Sequence, residues 1–118
     1  MALTANISSS FDIYINPDNN ETKDIANPGR DFRIVGVSVL NDGGTSSPQI
    51  QSPAATEVIL AAAPLNGAWK EMVITQANAE VAAADAIRVI TSAGGWGANS
   101  AIVIHCVSKD GGYSLNVT

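Results

Sequence analysis

The hydrophobic and polar positions of this chain alternate with a period of two, which predicts strands rather than helices. Residues 10–16, SFDIYIN, show the alternation most clearly, with an apolar side chain at every second position. Residues 86–91 and 101–107 are rich in Ile and Val, whose branched side chains favour strands. Because the glycine-rich stretch SAGGWGANS separates these two runs, we predict a long β-hairpin with Trp96 at its tip.

Residues 31–40, DFRIVGVSVL, predict a second firm strand whose two faces are both largely apolar. Under regular alternation, one face carries Val35, Val37, Val39 and Arg33. The other face carries Phe32, Ile34 and Leu40, with Gly36 and Ser38 between them. A strand of this kind is central and covered on both sides, or it places one face against another subunit.

The rest of the pattern predicts about eight short strands and no helix of significant length. Further strands are expected at 57–62, 69–75, 79–82 and 113–117, and long loops at 17–30 and 45–53. Short strands with turn signals between them are typical of an all-β antiparallel β-sandwich. The long connections suit a jelly-roll-like arrangement, and an immunoglobulin-like sandwich is the alternative. We expect one domain over residues 1–118, in which residues 1–9 form a short strand or an extended arm that reaches a neighbour.

The composition narrows the classes of partner. Only 14% of the residues are charged, the net charge is −5, and the six Lys and Arg residues are scattered. A nucleic acid or an anionic membrane surface is therefore not an expected partner. A surface of small neutral residues suits close protein–protein packing. The first residues, MALTANISSS, have no basic or apolar segment of a signal peptide, so we expect synthesis in the cytoplasm.

The sequence offers few groups for catalysis. Cys106 is the one cysteine, so no internal disulfide forms, and its apolar neighbours predict a buried small hydrophobe. His105 is the one histidine, and the sequence places neither an oriented nucleophile nor a carboxylate near it. As neighbours on a strand, His105 and Cys106 point to opposite faces and cannot share a metal. We predict a protein that is not an enzyme, unless His105 is exposed beside a carboxylate in a cleft.

The segment Asp18-x-Asn20-x-Thr22-x-Asp24 carries oxygen ligands at alternate positions, as the first half of a calcium loop does. Its sixth position is Lys23 rather than glycine, and its twelfth is not glutamate. The segment is therefore interpreted as a solvated loop, with metal binding as the alternative. The stretch AGGWG has no following lysine and is not a phosphate loop. No cofactor or metal is expected.

The glycine-rich loop supplies the candidate partner contact, formed by Gly94, Gly95, Trp96 and Gly97. No apolar side chain accompanies Trp96 within the loop. The indole therefore either folds back over the end of the sandwich or meets a partner. Tryptophan is enriched among the anchor residues of interfaces, which favours partner contact.

Two stretches resemble the small β-sandwich virion proteins of tailed bacteriophages. In EVAAADAIRVITSAGGWGANSAIVIHCV, a short turn leads into an IRV strand, a glycine-rich loop and a last apolar strand. The turn reads AAAD where those proteins have an AAGD-like sequence. DFRIVGVSVLNDGG resembles an earlier strand and turn of the same proteins. Together the two stretches extend over about half the chain.

The resemblance implies a capsid decoration (cement) protein of the virion surface, or failing that a small fibre or tail subunit. Such proteins commonly form homotrimers and reinforce contacts between subunits of the major capsid protein, and they have no catalytic residues to transfer. The competing hypothesis is a carbohydrate-binding module that uses Trp96 with Tyr14 or Tyr113 as stacking platforms. Aromatic residues make up only 5% of the chain, which weakens that hypothesis.

Overall fold

In a computed structural model, the chain is built almost entirely from antiparallel β-strands. The structure describes residues 3–7, 10–26, 31–44, 46–52, 56–62, 65, 67–82, 84–91, 95–108 and 113–117, with the backbone alone for 3–7 and 113–117. The strands in these ranges are β1 (Leu3–Ile7), β2 (Ser10–Ile15), β3 (Thr22–Ile25), β4 (Phe32–Leu40), β5 (Gln49–Gln51), β6 (Trp69–Glu71), β7 (Glu80–Val81), β8 (Ile87–Ile90), β9 (Ala101–Ser108) and β10 (Tyr113–Val117). One 3-10 turn, Gln76–Asn78, precedes β7.

The strands form two sheets and a separate ribbon. In the larger sheet the order is β2-β9-β4-β6, with β7 also paired to β4, and in the smaller sheet it is β3-β8-β5. Strands β1 and β10 pair with each other as a two-stranded ribbon. All pairings between these strands are antiparallel, which confirms the prediction of an all-β sandwich-like fold.

The hydrophobic core draws its side chains from both sheets. Strand β9 contributes Ile102, Ile104 and Cys106, and β8 contributes Ile87 and Val89, all of them buried. Burial alternates along β9 because successive side chains point to opposite faces of a sheet. Removing one such side chain from water stabilises the fold by about 1.5–3 kcal/mol.

A β-bulge in β4 overturns the prediction that both faces of this strand are apolar. The pairing with β9 shifts between Ile34 and Gly36, so Val35 is an extra residue with an exposed side chain. An extra residue reverses the alternation from that point on. The buried face therefore collects Phe32, Ile34, Val37 and Val39. The other face carries Arg33, Gly36, Ser38 and Leu40, so it is mixed rather than largely apolar.

The predicted hairpin between residues 86–91 and 101–107 is also wrong. Strand β8 pairs with β3 and β5 in the smaller sheet, whereas β9 pairs with β2 and β4 in the larger one. The glycine-rich loop consequently crosses from one sheet to the other. Apolar content identified both strands correctly, but it carries no information about which strands pair.

Both predicted long loops contain a short strand. Strand β3 lies within 17–30, at the edge of the smaller sheet. Three of its four side chains are exposed, and only Ile25 is partly buried, so its sequence lacks the apolar pattern of a buried strand. Strand β5 lies within 45–53 and buries Ile50. The residues Asn27-Pro28-Gly29 and Lys109-Asp110-Gly111-Gly112 also predict turns, and both stretches lie outside the described residues.

An irregular extended segment links the two sheets along one side. The Val58 amide donates to the Ile50 carbonyl (2.8 Å), the Thr75 amide donates to Val58 (2.7 Å), and the Met72 amide donates to Val37 (2.8 Å). Val58 is buried as predicted, but Leu60, which was expected on the same face, is exposed.

Candidate functional site

The structure buries the tryptophan of the glycine-rich loop. Only 4% of Trp96 is exposed, and its Nε1–H donates to the Pro17 carbonyl at 2.9 Å. Of the two interpretations left open by the sequence, the structure has the indole folded back over the end of the sandwich. Gly95 is buried and Gly97 half-buried, whereas Gly94 lies outside the described residues. Partner contact by Gly94–Gly97 stays a prediction, but the indole offers it almost no surface.

Asn41 holds this loop from within, although the sequence marked it only as part of a turn. Its side-chain amide donates to the carbonyls of Ser46 (3.0 Å) and Gly95 (2.9 Å). Its Oδ1 accepts from the Gly97 amide (3.0 Å) and the Ser100 hydroxyl (3.3 Å). Asn41 is fully buried, and these four bonds satisfy its side chain. We call Asn41, Ser46, Gly95, Gly97 and Ser100 the Asn41 latch.

The glycines of the loop permit a close approach between backbones. A Cβ atom at Gly97 would overlap the carbonyl oxygen of Asp42, and one at Gly95 would overlap the side chain of Ser46. A Cβ at Gly44 would overlap the Gly95 carbonyl from the other side. The composition that indicated a docking tip is thus explained by two loops packed against each other at one end of the sandwich.

A second constellation lies on the solvent-facing side of the larger sheet. The register places Asp12 opposite His105, and His105 opposite Gly36, across three neighbouring strands. His105 Nδ1 is 2.8 Å from the Asp12 carboxylate, and His105 Nε2 is 3.2 Å from Ser38 Oγ. The imidazole is about one-third exposed (36%). The sequence could not reveal this group, because its members are 67 and 93 residues apart.

The protonation of this group follows from its partners. A carboxylate only accepts hydrogen bonds, so in the neutral imidazole Nδ1 carries the proton and points it at Asp12. Nε2 is then an acceptor, and the Ser38 hydroxyl donates to it. Ser38, His105 and Asp12 thereby stand in the order that activates a serine in acyl-transfer enzymes.

The surroundings of Ser38 differ from those of such a nucleophile. Ser38 is paired with Val103 on one side and Glu71 on the other, in the middle of the sheet. Backbone N–H groups at such a position are engaged in the ladders, whereas an oxyanion hole requires free donors. The two cavities found among the described residues are lined by other residues. His105 thus lies beside a carboxylate but on an open surface, and the absence of enzyme activity stays a prediction.

The same face carries two exposed aromatic side chains and a further carboxylate. Tyr14 on β2 is 64% exposed, and Trp69 on β6 is 48% exposed. A Cβ atom at Gly36 would lie 3.1 Å from Glu71 Oε1 and 3.2 Å from the His105 ring, so these two side chains come close together over the glycine. We call the surface formed by Asp12, Tyr14, Ser38, Trp69, Glu71 and His105 the outer face.

Part of the segment 18–24, which resembles the first half of a calcium loop, forms a strand in the structure. Thr22 and Asp24 belong to β3, and Asp24 makes two hydrogen bonds, 2.7 and 3.1 Å long, with the Arg88 guanidinium on β8. These bonds lower the pKa of Asp24 and raise that of Arg88. No cluster of three or more metal-ligating side chains is found in the described part of the chain. Metal binding by residues 18–24 is not proposed further.

Cys106 is buried among apolar side chains of the core, as the sequence predicted. Burial, and to a smaller extent the negative charge of Asp12, raises the pKa of the thiol to about 12. Because the thiolate is the reactive form of cysteine, this position is chemically inert in the folded protein.

Comparisons with protein-family models, with curated proteins and with solved structures each found no match. In the described ranges, no helix is long and apolar enough to cross a membrane.

Proposed function

We propose that this protein is a structural subunit of a virion, a capsid decoration protein that binds the major capsid protein and strengthens the shell. The terminal ribbon β1–β10 is the observation that carries the proposal. The low fraction of charged residues and the resemblance of residues 31–44 and 80–107 to phage virion proteins support it.

The register of the ribbon pairs apolar positions with apolar positions. The facing apolar pairs are Leu3 and Val117, Ala5 and Leu115, and Ile7 and Tyr113. Polar positions face polar positions in between, at Thr4 with Asn116 and Asn6 with Ser114. Since side chains alternate along a strand, this register assigns the apolar positions of both strands to one face of the ribbon.

The ribbon follows the β2–β9 pair in the chain, because β1 precedes β2 and β10 follows β9. Ser10 is opposite Val107 in that pair, and Ile7 is opposite Tyr113 in the ribbon. The molecule measures 60 × 28 × 22 Å, which agrees with an extension along one axis. An isolated two-stranded ribbon is at best marginally stable in water, and both its edges expose unpaired backbone groups. A structural neighbour, either a capsid subunit or further copies of this chain, would cover the apolar face and pair with an edge.

The test is binding to capsid shells assembled without a decoration protein. We expect the protein to be a defined oligomer in light scattering, most simply a trimer, and to bind shells in a fixed ratio to the capsid protein. A strictly monomeric protein that does not bind shells would overturn the proposal. Binding to purified tails but not to shells would replace decoration with a fibre or tail role.

Two variants of the ribbon give a matched pair. Ala5→Asp introduces a charge at an apolar position, whereas Asn6→Asp introduces the same charge at the next, polar position. We expect Ala5→Asp to lose shell binding and oligomerisation, and Asn6→Asp to keep both. Equal behaviour of the two variants would show that the apolar face of the ribbon is not the contact.

A further inference from the structure

The outer face places two aromatic side chains at opposite edges of the larger sheet. Tyr14 lies on β2 in the same row as Glu71, and Trp69 lies two residues before Glu71 on β6. Three strand spacings and two residues of rise separate Tyr14 from Trp69 by about 16 Å. Both aromatic side chains are about half exposed or more, so both offer ring surface to a ligand on this face of the sheet.

The polar groups of the outer face are mainly hydrogen-bond acceptors: Ser38 and Glu71 lie between the two aromatic residues, and Asp12 and His105 lie in the next row beyond Tyr14. In the neutral imidazole, His105 Nε2 accepts a hydrogen bond from the Ser38 hydroxyl, so the Ser38 oxygen retains its lone pairs for a ligand. Asp12 accepts from His105 through one oxygen and has a second, and Glu71 contributes another carboxylate. A ligand that fits this surface must therefore bring several hydrogen-bond donors.

The charge of the outer face decides which donor-rich ligands fit. Arg33 is opposite Val107, one row along the outer face from the Gly36–His105 pair, and its guanidinium is bonded to Glu80 (2.9 Å) and Gln76 (2.6 Å). Lys70 is opposite the buried Val39 and so belongs to the other side of the sheet. Because the charge of Arg33 is balanced by Glu80, the carboxylates of Asp12 and Glu71 give the outer face a negative charge while His105 is neutral. Phosphate, sulfate or carboxylate groups on a ligand would be repelled.

We propose that the outer face binds a neutral oligosaccharide. Sugar rings would stack on Trp69 and Tyr14 through their C–H faces. Their hydroxyl groups would donate to Ser38 and Glu71, which lie between the two aromatic residues, and to Asp12 beyond Tyr14. Aromatic side chains that combine an apolar body with a polar tip suit ligands of this mixed character. This inference replaces Trp96 with Trp69 as the stacking tryptophan, and it does not depend on the capsid role.

The experiment is titration of the full chain with neutral oligosaccharides (cello-, xylo-, manno- and chito-oligomers) and with sulfated oligosaccharides of matched length. Intrinsic fluorescence is the readout, because Trp69 is exposed while Trp96 is buried. We expect at least one neutral series to bind and to shift the emission, with affinity rising with chain length. The sulfated series should bind at least about tenfold more weakly.

Three variants assign the binding to the outer face. Trp69→Ala and Tyr14→Ala should each weaken the affinity by about tenfold or more, without a change in melting temperature. Leu65→Ala, which removes an exposed apolar side chain elsewhere, should leave the affinity unchanged. The proposal is overturned if no neutral series binds at millimolar concentration, if sulfated chains bind as well as neutral ones, or if Trp69→Ala binds normally.

Discussion

At the scale of single residues, Trp96 contributes to stability through two separable features. Its ring fills the core at one end of the sandwich, and its N–H group satisfies the Pro17 carbonyl. We expect Trp96→Ala to lower the free energy of unfolding by about 3–5 kcal/mol, and Trp96→Phe by about 1–3 kcal/mol. Urea denaturation measures both, with Trp69→Ala as the exposed control. A Trp96→Ala variant that keeps its stability but loses a partner would return Trp96 to an interface role.

Asn41 provides a sharper test of the loop packing. In Asn41→Asp, a carboxylate would face the carbonyl oxygens of Ser46 and Gly95, where an amide now donates to both. Because the new group is buried and repelled, we expect a loss of more than about 3 kcal/mol. Asn99→Asp makes the same change at an exposed position nearby and should cost almost nothing. Thermal unfolding of both variants gives the comparison, and equal losses would contradict the Asn41 latch.

The raised pKa of Cys106 predicts slow chemistry. At pH 8 the folded thiol stays protonated, so labelling by iodoacetamide should be on the order of a hundredfold slower than in urea. The unfolded thiol ionises near 9.0 and the folded one only near 12, so stability should decline as the pH rises above 9.0. Cys106→Ala should lack this part of the alkaline decline. Fast labelling of the native protein would show that Cys106 is accessible.

At the scale of elements, two valines test the bulge in β4: Val35, the extra residue, and Val37, which follows the reversed alternation. Val37 is fully buried and Val35 is 50% exposed, although a regular strand would place them on one face. We expect Val37→Asp to prevent folding, because it buries an unpaired charge. Val35→Asp should fold with nearly normal stability. Circular dichroism and a urea titration distinguish the variants, and failure of both would restore the regular strand.

The sequence predicts the strands better than the way they pair. Alternation identified β2, and the apolar runs identified β8 and β9, because these signals depend on burial alone. Pairing depends on contacts between distant residues, so nothing local distinguished a hairpin from a crossing between sheets. The bulge was hidden for the same reason: the extra residue at Val35 is defined only by the partner strand β9.

For the candidate sites, too, the sequence identified individual residues but not the distant residues that they contact. The glycine content singled out the loop around Trp96. The glycines are needed there because a Cβ atom at Gly97 or Gly95 would overlap Asp42 or Ser46, a contact that the sequence could not show. The sequence drew attention to His105 because it is the one histidine. Its carboxylate partner, Asp12, comes from a strand near the other end of the chain, so proximity in sequence could not reveal it.

At the scale of the whole molecule, the terminal ribbon should be separable from the sandwich. Removing residues 1–8 takes away β1 and leaves β2 and every strand of both sheets. We therefore expect the free energy of unfolding to change by less than about 1 kcal/mol, while oligomerisation and shell binding are lost. Differential scanning calorimetry and light scattering measure the two effects. An unfolded truncated protein would show that the ribbon is part of the core domain.

The Asn41 latch has a further consequence, which concerns rates. Its bond to Gly95 joins residues 54 positions apart, at the end where β4 finishes and β9 begins. These groups can meet only after the two strands are aligned, so the latch should form after the folding barrier has been crossed. Interactions absent from the transition state act mainly on the unfolding rate. The latch should therefore prolong the lifetime of the folded protein, a property that the proposed role in a long-lived shell would require.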